Sequence, residues 1–236
     1  MANPLTASAL HVVPESGEHP MLASLSSAIK TRGEARLGIM GGTFDPVHMG
    51  HLACAEMAMD ACRLDGVLFI VAPRPWMKRG KRMAAAEERL EMCCLATRGN
   101  PSFEVSAIEM GREGKTFTSD TLRALKEVLP EEVSLHFIIG ADTLKTLPGW
   151  YEADALKDLA SFVCVDRPGS EDYRRLLDDA RRCGFDIEWV NAPLLEISSS
   201  EVRERASLGK SIRYLVSDEV VEYIGSHGLY KEAQDV

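Results

Sequence analysis

Two histidines three positions apart follow a glycine pair in the stretch GIMGGTFDPVHMGH. Gly41 and Gly42 come directly after a short apolar run, and His48 and His51 come a few residues later. Glycine lets the backbone approach a ligand closely, and a helix that begins near Val47 offers unpaired N–H groups to a phosphate. Because residues three apart share a helix face, both imidazoles are expected over that phosphate. The stretch therefore predicts a polyphosphate site.

A second candidate phosphate site lies near the other end of the chain, in ISSSEVRER. Ser198, Ser199 and Ser200 stand at a predicted helix start, where hydroxyl and N–H groups gather. Arg203 follows one turn later, on the face above Ser199 and Ser200. Its guanidinium is a fork of donors that suits phosphate oxygens. Serines at a helix start are also ordinary caps. The cluster indicates a phosphate site only because a second helix start of the same kind occurs in the first stretch.

Each feature of the first stretch also has a simpler interpretation. A Gly-Gly turn is common, and Asp45 before Pro46 could be only a turn former and cap. His48 and His51 could ligate zinc, although a third ligand at matching spacing is not evident nearby. The glycines do not form G-x-G-x-x-G, which disfavours a dinucleotide-binding dehydrogenase. Gly50 in the predicted helix costs about 1 kcal/mol relative to alanine, so something is expected close to its backbone.

Short apolar runs alternate with helical patterns along most of the chain. RLGIM precedes the glycine pair, and GVLFIVA, FEVSAIE, SLHFIIG, SFVCVDRP and DIEWVN follow, with helical patterns between them. Strands that are apolar on both faces and joined by helices indicate a parallel sheet covered on both sides. We therefore predict an α/β fold: a Rossmann-like, doubly wound parallel sheet with helices on both faces. In such a sheet ligands bind at the carboxyl ends of strands, where the loop from Gly41 to Pro46 is expected.

The chain of 236 residues, 45% of them hydrophobic, is long enough for one α/β domain. Residues 1–35 mix Pro, Ser, Gly and Glu with one amphipathic piece, MLASLSSAIK, and predict a partly disordered N-terminal extension. The main domain is expected over residues 36–236. A closing helix is predicted at its end, in SDEVVEYIGSHGLY, with Ser217 as the N-cap.

Charge and composition exclude several classes of protein. The net charge of -9 argues against a nucleic-acid binder, although an acidic protein can still hold a local basic pocket for an anionic substrate. The chain contains no apolar run long enough to span a membrane and does not begin like a signal peptide, so we expect a cytoplasmic protein. The six cysteines form no C-x-x-C pair and suit buried thiols. They are Cys54, Cys62, Cys93, Cys94, Cys164 and Cys183.

HMGH and ISSSEVR resemble the H-x-G-H and I-S-S-T-x-I-R motifs of nucleotidyltransferases. FTSDTL, the long stretch FIIGADTLKTLPGWYEADALKDLASFVCVDRPG and the terminal YIGSHGLY narrow the resemblance to bacterial nicotinate-nucleotide adenylyltransferases, over roughly Leu37 to Tyr230. The resemblance implies adenylyl transfer from ATP to nicotinate mononucleotide, with release of pyrophosphate, in NAD biosynthesis. It also implies Mg²⁺ held mainly by the ATP phosphates, and it is compatible with a homo-oligomer.

The same resemblance implies roles for individual residues. His48, His51 and Arg203 would act on the ATP phosphates during transfer. Asp142 would bind a ribose hydroxyl of ATP, and Trp150 would stack beside the nicotinate ring. The residues implied at ATP are Gly41, Gly42, Thr43, Phe44, His48, His51, Asp142, Ile197, Ser199, Ser200 and Arg203. The residues implied at nicotinate mononucleotide are Gly42, Thr43, Lys78, Thr118 and Trp150, with Thr118 at the carboxylate.

The chain departs from the family pattern at four positions. Met77, in PRPWMKRGKR, stands where the family's Pro-Pro-His-Lys loop has histidine, and Phe117 stands where tyrosine is frequent. Ser200 and Val202 replace a threonine and an isoleucine. The KRGKR loop could close over a substrate or be only a solvated loop. Without the resemblance, Trp150 could be a core aromatic residue.

Other functions stay open at this point. The acceptor could be nicotinamide mononucleotide or phosphopantetheine, although GWYE and the chain length weigh against phosphopantetheine. A class I aminoacyl-tRNA synthetase fragment shares H-x-G-H, but the second lysine-rich loop and a basic tRNA-binding region are missing. A nucleotide-binding sensor without turnover is the alternative from a different class. Release of pyrophosphate would distinguish the sensor from the enzymes.

Overall fold

A parallel sheet of six strands forms the centre of the protein in a computed structural model. The structure describes residues 5–13, 18–74, 83–166, 172–193 and 195–231. The strands pair in the order β3-β2-β1-β4-β5-β6, each parallel to its neighbours. They are β1 (Ala35–Gly42), β2 (Gly66–Val71), β3 (Phe103–Ser106), β4 (Val133–Gly140), β5 (Ser161–Asp166) and β6 (Ile187–Asn191). Each of them lies within one of the predicted runs or extends it by one or two residues at an end.

The strands are apolar on both faces because helices cover the sheet on both sides. In β2 every residue is buried, and successive side chains point to opposite faces. Leu68 and Ile70 join one apolar core, whereas Val67 and Phe69 join the other. Two separate cores of this kind are what a doubly wound sheet requires, so the predicted fold class is confirmed.

The helices divide between the two faces. The first core packs against α1 (Pro20–Arg32), α4 (Thr118–Val128), α5 (Ala153–Leu159) and α6 (Asp172–Arg182). The second core packs against α2 (Met49–Ala61), α3 (Ala86–Thr97), α7 (Ser199–Ser207) and α8 (Asp218–Ser226). Two short 3₁₀ turns, Ala141–Lys145 and Leu147–Gly149, lie between β4 and α5. Within the described ranges, none of the helices is both long and apolar enough to cross a membrane.

The described part of the N-terminal segment packs against the sheet. Val12 forms an antiparallel bridge to Ser106, the last residue of β3, and helix α1 buries Met21 and Leu25. A Cβ on Gly66 would lie 2.2 Å from a carbon of the Met21 side chain, so the glycine at the start of β2 makes room for α1. The division between an extension and a domain after residue 35 stays a prediction, but α1 contributes to the first core.

All six cysteines are thiols. Cys62, Cys93 and Cys164 are buried as expected, and burial raises the pKa of Cys62 and Cys164 to about 12. Cys183 differs from the expectation, because it is exposed just after the last residue of α6.

The strand order places the ligand site. From β1 the chain continues to β2 on one side, whereas β4 lies on the other side of β1. At such a reversal the two neighbouring connections leave on opposite faces and open a crevice at the carboxyl ends of the strands. Gly41 and Gly42 end β1 at this crevice, and Gly140 ends β4. The glycine pair of the first motif therefore lies where the fold binds ligands.

Candidate functional site

Two cavities open at the carboxyl ends of β1 and β4, and they share one wall. The cavity that contains Trp150 has a volume of about 300 Å³, and the cavity that contains His48 has a volume of about 470 Å³. We refer to them as the Trp150 cavity and the His48 cavity. The residues common to both are Gly41, Gly42, Ile138, Ile139 and Gly140. Because glycines form most of this wall, molecules in the two cavities can approach each other closely.

The two motif histidines lie together in the His48 cavity. His48 is the N-cap of α2, and its backbone N–H donates to Nδ1 of His51 over 3.1 Å. The two rings stack with centroids 3.6 Å apart. His48 is buried and His51 is half-buried. The structure thus brings both imidazoles to one face, beside the positive end of α2.

The second motif lies opposite these histidines. Ile197, Ser199 and Ser200 line the His48 cavity at the start of α7. The Oγ hydroxyl of Ser199 donates to the carbonyl oxygen of Pro46 over 2.9 Å, which ties the start of α7 to the loop before α2. Two helix starts that are far apart in sequence therefore converge on one cavity.

Not every predicted residue lines a cavity. Arg203 lies beside the His48 cavity, where its Nη1 donates to the carbonyl oxygen of Asp45 over 2.6 Å and its Nη2 donates to Oγ of Ser200 over 3.2 Å. Thr43 lines neither cavity, and its carbonyl oxygen accepts a hydrogen bond from Arg89. Asp142 lines the His48 cavity just after β4.

At two positions of the first motif, Gly42 and Gly50, a side chain would collide with a neighbouring aromatic ring. Phe44 adopts a left-handed backbone with φ of 47°, and a Cβ on Gly42 would lie 2.8 Å from its ring. The Phe44 ring in turn meets His51 edge-on, with centroids 5.0 Å apart. A Cβ on Gly50 would lie 3.0 Å from Nδ1 of His48. The group expected close to the Gly50 backbone is therefore the His48 imidazole.

The Trp150 cavity combines aromatic walls with a helix start. Trp150 is half-buried, lies edge-on to Phe137 with centroids 6.1 Å apart, and also lines the cavity. Thr118 lines the same cavity as the first residue of α4, whose N-terminal N–H groups attract negative charge. Phe117 stacks on Tyr151 with ring centroids 4.2 Å apart. The cavity suits a flat ring with an anionic substituent.

The Trp150 cavity contains a buried acid, Glu109, that the sequence analysis did not predict. Glu109 lines the cavity, and the hydroxyl of Thr121 donates to its Oε1 over 2.6 Å. Arg112 donates to the same hydroxyl over 2.9 Å. Burial raises the pKa of Glu109, and hydrogen bonds from Thr121 and Thr116 act against that rise. Glu109 thus bonds to both ends of the segment that carries Thr118, a role that nothing in the local sequence indicates.

The sequence and the fold both match known proteins. Residues 39–205 match the sequence model of the cytidylyltransferase-like family. A probable nicotinate-nucleotide adenylyltransferase from Thermoanaerobacter sp. (strain X514) is 42% identical over 205 residues, which is 86% of this chain and 97% of the relative. Another from Roseiflexus sp. (strain RS-1) is 45% identical over 198 residues, or 84% of this chain and 98% of the relative. The chain belongs to the nicotinate-nucleotide adenylyltransferase family. The predicted family and the predicted enzyme class, a nucleotidyltransferase, are confirmed.

A solved structure from the nicotinate-nucleotide adenylyltransferases shares the fold. The nicotinic acid mononucleotide adenylyltransferase of Plasmodium falciparum aligns with a TM-score of 0.66 and 19% identity, covering 84% of this chain and 98% of that one. That protein was solved in complexes with APC and with NaAD.

In this member of the nicotinate-nucleotide adenylyltransferases, one buried arginine supports the loops around both cavities. Arg89 on α3 is fully buried and donates to four backbone carbonyl oxygens. They belong to Thr43, Ala72, Pro73 and Ala84, at distances of 2.6, 2.8, 2.9 and 3.2 Å. Because an unsatisfied buried charge is costly, these bonds fix the loops that follow β1 and β2. In the sequence Arg89 is one charged residue among several of an ordinary helix.

Two residues of the family's Pro-Pro-His-Lys-like loop, Met77 and Lys78, lie outside the described residues. Among the residues that are described, no group of three or more His, Cys, Asp or Glu side chains is arranged to hold a metal ion.

Proposed function

We propose that this chain transfers the adenylyl group of ATP to nicotinate mononucleotide and releases nicotinate adenine dinucleotide and pyrophosphate. The shared wall of the two cavities is the observation that supports this most directly. One cavity has imidazoles and two helix starts, which suit a triphosphate, and the other has aromatic walls, which suit a pyridine ring. Transfer between two nucleotides requires both to be bound side by side.

ATP is placed in the His48 cavity. Its phosphates lie against His48, His51 and the start of α7, where Ser199 and Ser200 present hydroxyl groups. The starts of α2 and α7 add two positive dipole ends. At α2 the expected unpaired N–H groups are only partly present, because Met49 N–H donates to the carbonyl oxygen of Leu215 and His51 N–H donates to that of His48, each over 2.9 Å. Asp142 accepts a hydrogen bond from a ribose hydroxyl. Arg203 reaches the phosphates from behind Ser200.

Nicotinate mononucleotide is placed in the Trp150 cavity. Its pyridine ring stacks on Trp150, and its carboxylate accepts hydrogen bonds from Thr118 and from N–H groups at the start of α4. Its phosphate points across the glycine wall toward ATP. Lys78 is proposed to add a positive charge to this phosphate, on the basis of the sequence alone.

The reaction then needs alignment and charge neutralisation. A phosphate oxygen of nicotinate mononucleotide attacks the α-phosphorus of ATP, and the bond from that phosphorus to the oxygen bridging to the β-phosphate breaks, releasing pyrophosphate. The attacking phosphate is already an anion near pH 7, so a general base is not required. His48 and His51 donate hydrogen bonds where negative charge develops, and the glycine wall brings the reactants into line.

We propose Mg²⁺ as the ion that accompanies ATP. Mg²⁺ prefers phosphate and water oxygens and keeps several waters, so it is commonly bound through the substrate rather than by a protein cage. The single carboxylate of Asp142 in the His48 cavity fits this arrangement. The ion would neutralise charge on the phosphates.

A cytoplasmic location, which the six thiols favour, is part of the proposal, whereas a homo-oligomer stays a prediction.

Magnesium-dependent release of pyrophosphate from ATP tests the function. Nicotinate mononucleotide, nicotinamide mononucleotide and phosphopantetheine are compared as acceptors, and the product mass is measured. The proposal predicts a large kcat/KM advantage for nicotinate mononucleotide. Equal rates for the two pyridine nucleotides would retain the reaction but contradict the preference for the acid. Nucleotide binding without pyrophosphate release would instead support a sensor.

A further inference from the structure

Asp45 joins three segments of the chain that are distant in sequence. Its Oδ1 accepts a hydrogen bond from the hydroxyl of Tyr230 over 2.8 Å and one from the backbone N–H of Ala84 over 3.1 Å. Its carbonyl oxygen accepts from Nη1 of Arg203 over 2.6 Å, and the same Nη1 lies 3.4 Å from Oδ2. The segment that follows α8, the segment before α3 and helix α7 therefore meet on one residue.

The environment of Asp45 makes these contacts strong. Asp45 is buried, and a buried carboxylate requires donors to replace water. Hydrogen bonds to a charged group are stronger than those between neutral groups. Burial and the neighbouring Asp45 carboxylate raise the pKa of Tyr230, so its hydroxyl stays protonated and donates.

The backbone around Tyr230 is shaped to make this contact. Tyr230 has φ of 65°, a left-handed conformation that is unfavourable for a residue with a side chain, and Gly228 before it has φ of 63°. Such conformations persist where surrounding contacts determine them, and they concentrate at functional sites. The backbone from Gly228 to Tyr230 thus turns so that the Tyr230 hydroxyl reaches Asp45.

The contacts also decide how Arg203 pairs with Asp45. An arginine and a free carboxylate favour a two-pronged pair in which both carboxylate oxygens face the guanidinium. Here Tyr230 and Ala84 occupy Oδ1, so Arg203 meets only Oδ2 and the carbonyl oxygen. A guanidinium has five N–H donors, and one-sided pairing leaves donors for a phosphate.

We propose that Asp45 and Tyr230 are positioning residues for Arg203. Tyr230 keeps Asp45 from pairing fully with Arg203, and the guanidinium remains directed at the phosphates of ATP beside Ser200. This inference rests on the proposed role of Arg203 at ATP. It assigns a function to Tyr230, which lies 185 residues from Asp45 in the sequence.

The substitution Tyr230→Phe removes the single hydroxyl involved, and Tyr223→Phe on α8 is the matched control. We expect kcat/KM for ATP to fall about tenfold in Tyr230→Phe, as for a lost hydrogen bond to a charged group, and to stay within about twofold in Tyr223→Phe. Added to an Arg203→Ala background, Tyr230→Phe should change kcat/KM by less than about twofold, because its effect passes through Arg203. An equal loss in both backgrounds, or no loss in the wild-type background, would overturn the inference.

Binding measurements separate positioning from a general loss of structure. By calorimetry, Tyr230→Phe should weaken a non-hydrolysable α,β-methylene ATP analogue about tenfold and leave adenosine within about twofold. Equal weakening of both ligands, or a large fall in the unfolding temperature, would contradict a positioning role. These measurements need no turnover, so they test Tyr230 even if the wild-type protein releases no pyrophosphate, in which case the proposed function alone would fail.

Discussion

The two cavities share a wall but are held together in different ways. The His48 cavity depends on bonds between distant segments, such as Ser199 to Pro46 and Tyr230 to Asp45. The Trp150 cavity depends on residues that are closer in sequence, including Glu109 and Thr121 and the stacked rings of Phe117 and Tyr151. We infer that the first fixes the reacting phosphates, whereas the second selects the acceptor. Substitutions in the first should therefore lower kcat, and those in the second should raise the KM for nicotinate mononucleotide.

His48→Ala should produce the largest effect. Loss of a donor to the developing charge predicts a fall in kcat of about 10²-fold or more, with little change in the KM for nicotinate mononucleotide. Steady-state kinetics with both substrates varied would measure it. His227→Ala, an exposed histidine at the end of α8, is the control and should be silent. A fall of less than about threefold would remove His48 from the catalytic residues.

Trp150→Ala should affect the other cavity. Loss of a stacking surface, which is worth about 1–3 kcal/mol for a base, predicts a rise of about tenfold or more in the KM for nicotinate mononucleotide. The KM for ATP should stay within about twofold. Trp189→Ala on β6, which lines neither cavity, controls for the loss of a tryptophan. A proportional loss of affinity for both substrates would contradict the separation of the cavities.

Glu109→Gln should act in the same direction but less strongly. The amide still accepts one hydrogen bond, so the segment from Thr116 to Thr121 loosens at one end, and the KM for nicotinate mononucleotide should rise about fivefold. The ratio of kcat/KM for nicotinate mononucleotide to kcat/KM for nicotinamide mononucleotide should change together with that KM. Glu104→Gln, on β3 and paired with His19, is the matched control. If both variants change the ratio equally, the effect belongs to the sheet and not to the cavity.

Gly50→Ala should have the smallest effect, and we expect that effect to be a decrease in kcat. The new methyl would lie 3.0 Å from the His48 ring, and a modest displacement of that ring predicts a loss of about threefold. Gly225→Ala, in α8, has open space around the same position and should leave kcat unchanged. An unchanged kcat in Gly50→Ala would show that the exact placement of His48 is less important than we infer.

The fold was largely predictable because its signals are local. Strands buried on both faces read as continuous apolar runs, and the predicted N-cap of the closing helix, Ser217, caps α8 by accepting a hydrogen bond from the backbone N–H of Val220. The contribution of α1 was not predictable in the same way. Its partner at Gly66 lies beyond β1, and a short amphipathic piece does not indicate which surface it covers.

The site was predictable only in part. Motifs placed His48, His51 and Ser199 at the crevice, because their spacing and the ends of the strands are local features. Asp45 looked like a turn former, although the structure connects it to Arg203 and Tyr230, 158 and 185 residues away. Contacts of that range leave no periodicity or spacing in one sequence, so the supporting network emerges only from the fold.

Initial velocities over a matrix of ATP and nicotinate mononucleotide concentrations test the central claim most directly. If the two cavities hold both nucleotides at once across the glycine wall, double-reciprocal lines will intersect, and labelled pyrophosphate will not exchange into ATP unless the second nucleotide is present. Parallel lines, together with exchange in the absence of nicotinate mononucleotide, would reveal an adenylylated enzyme and contradict direct transfer between the cavities.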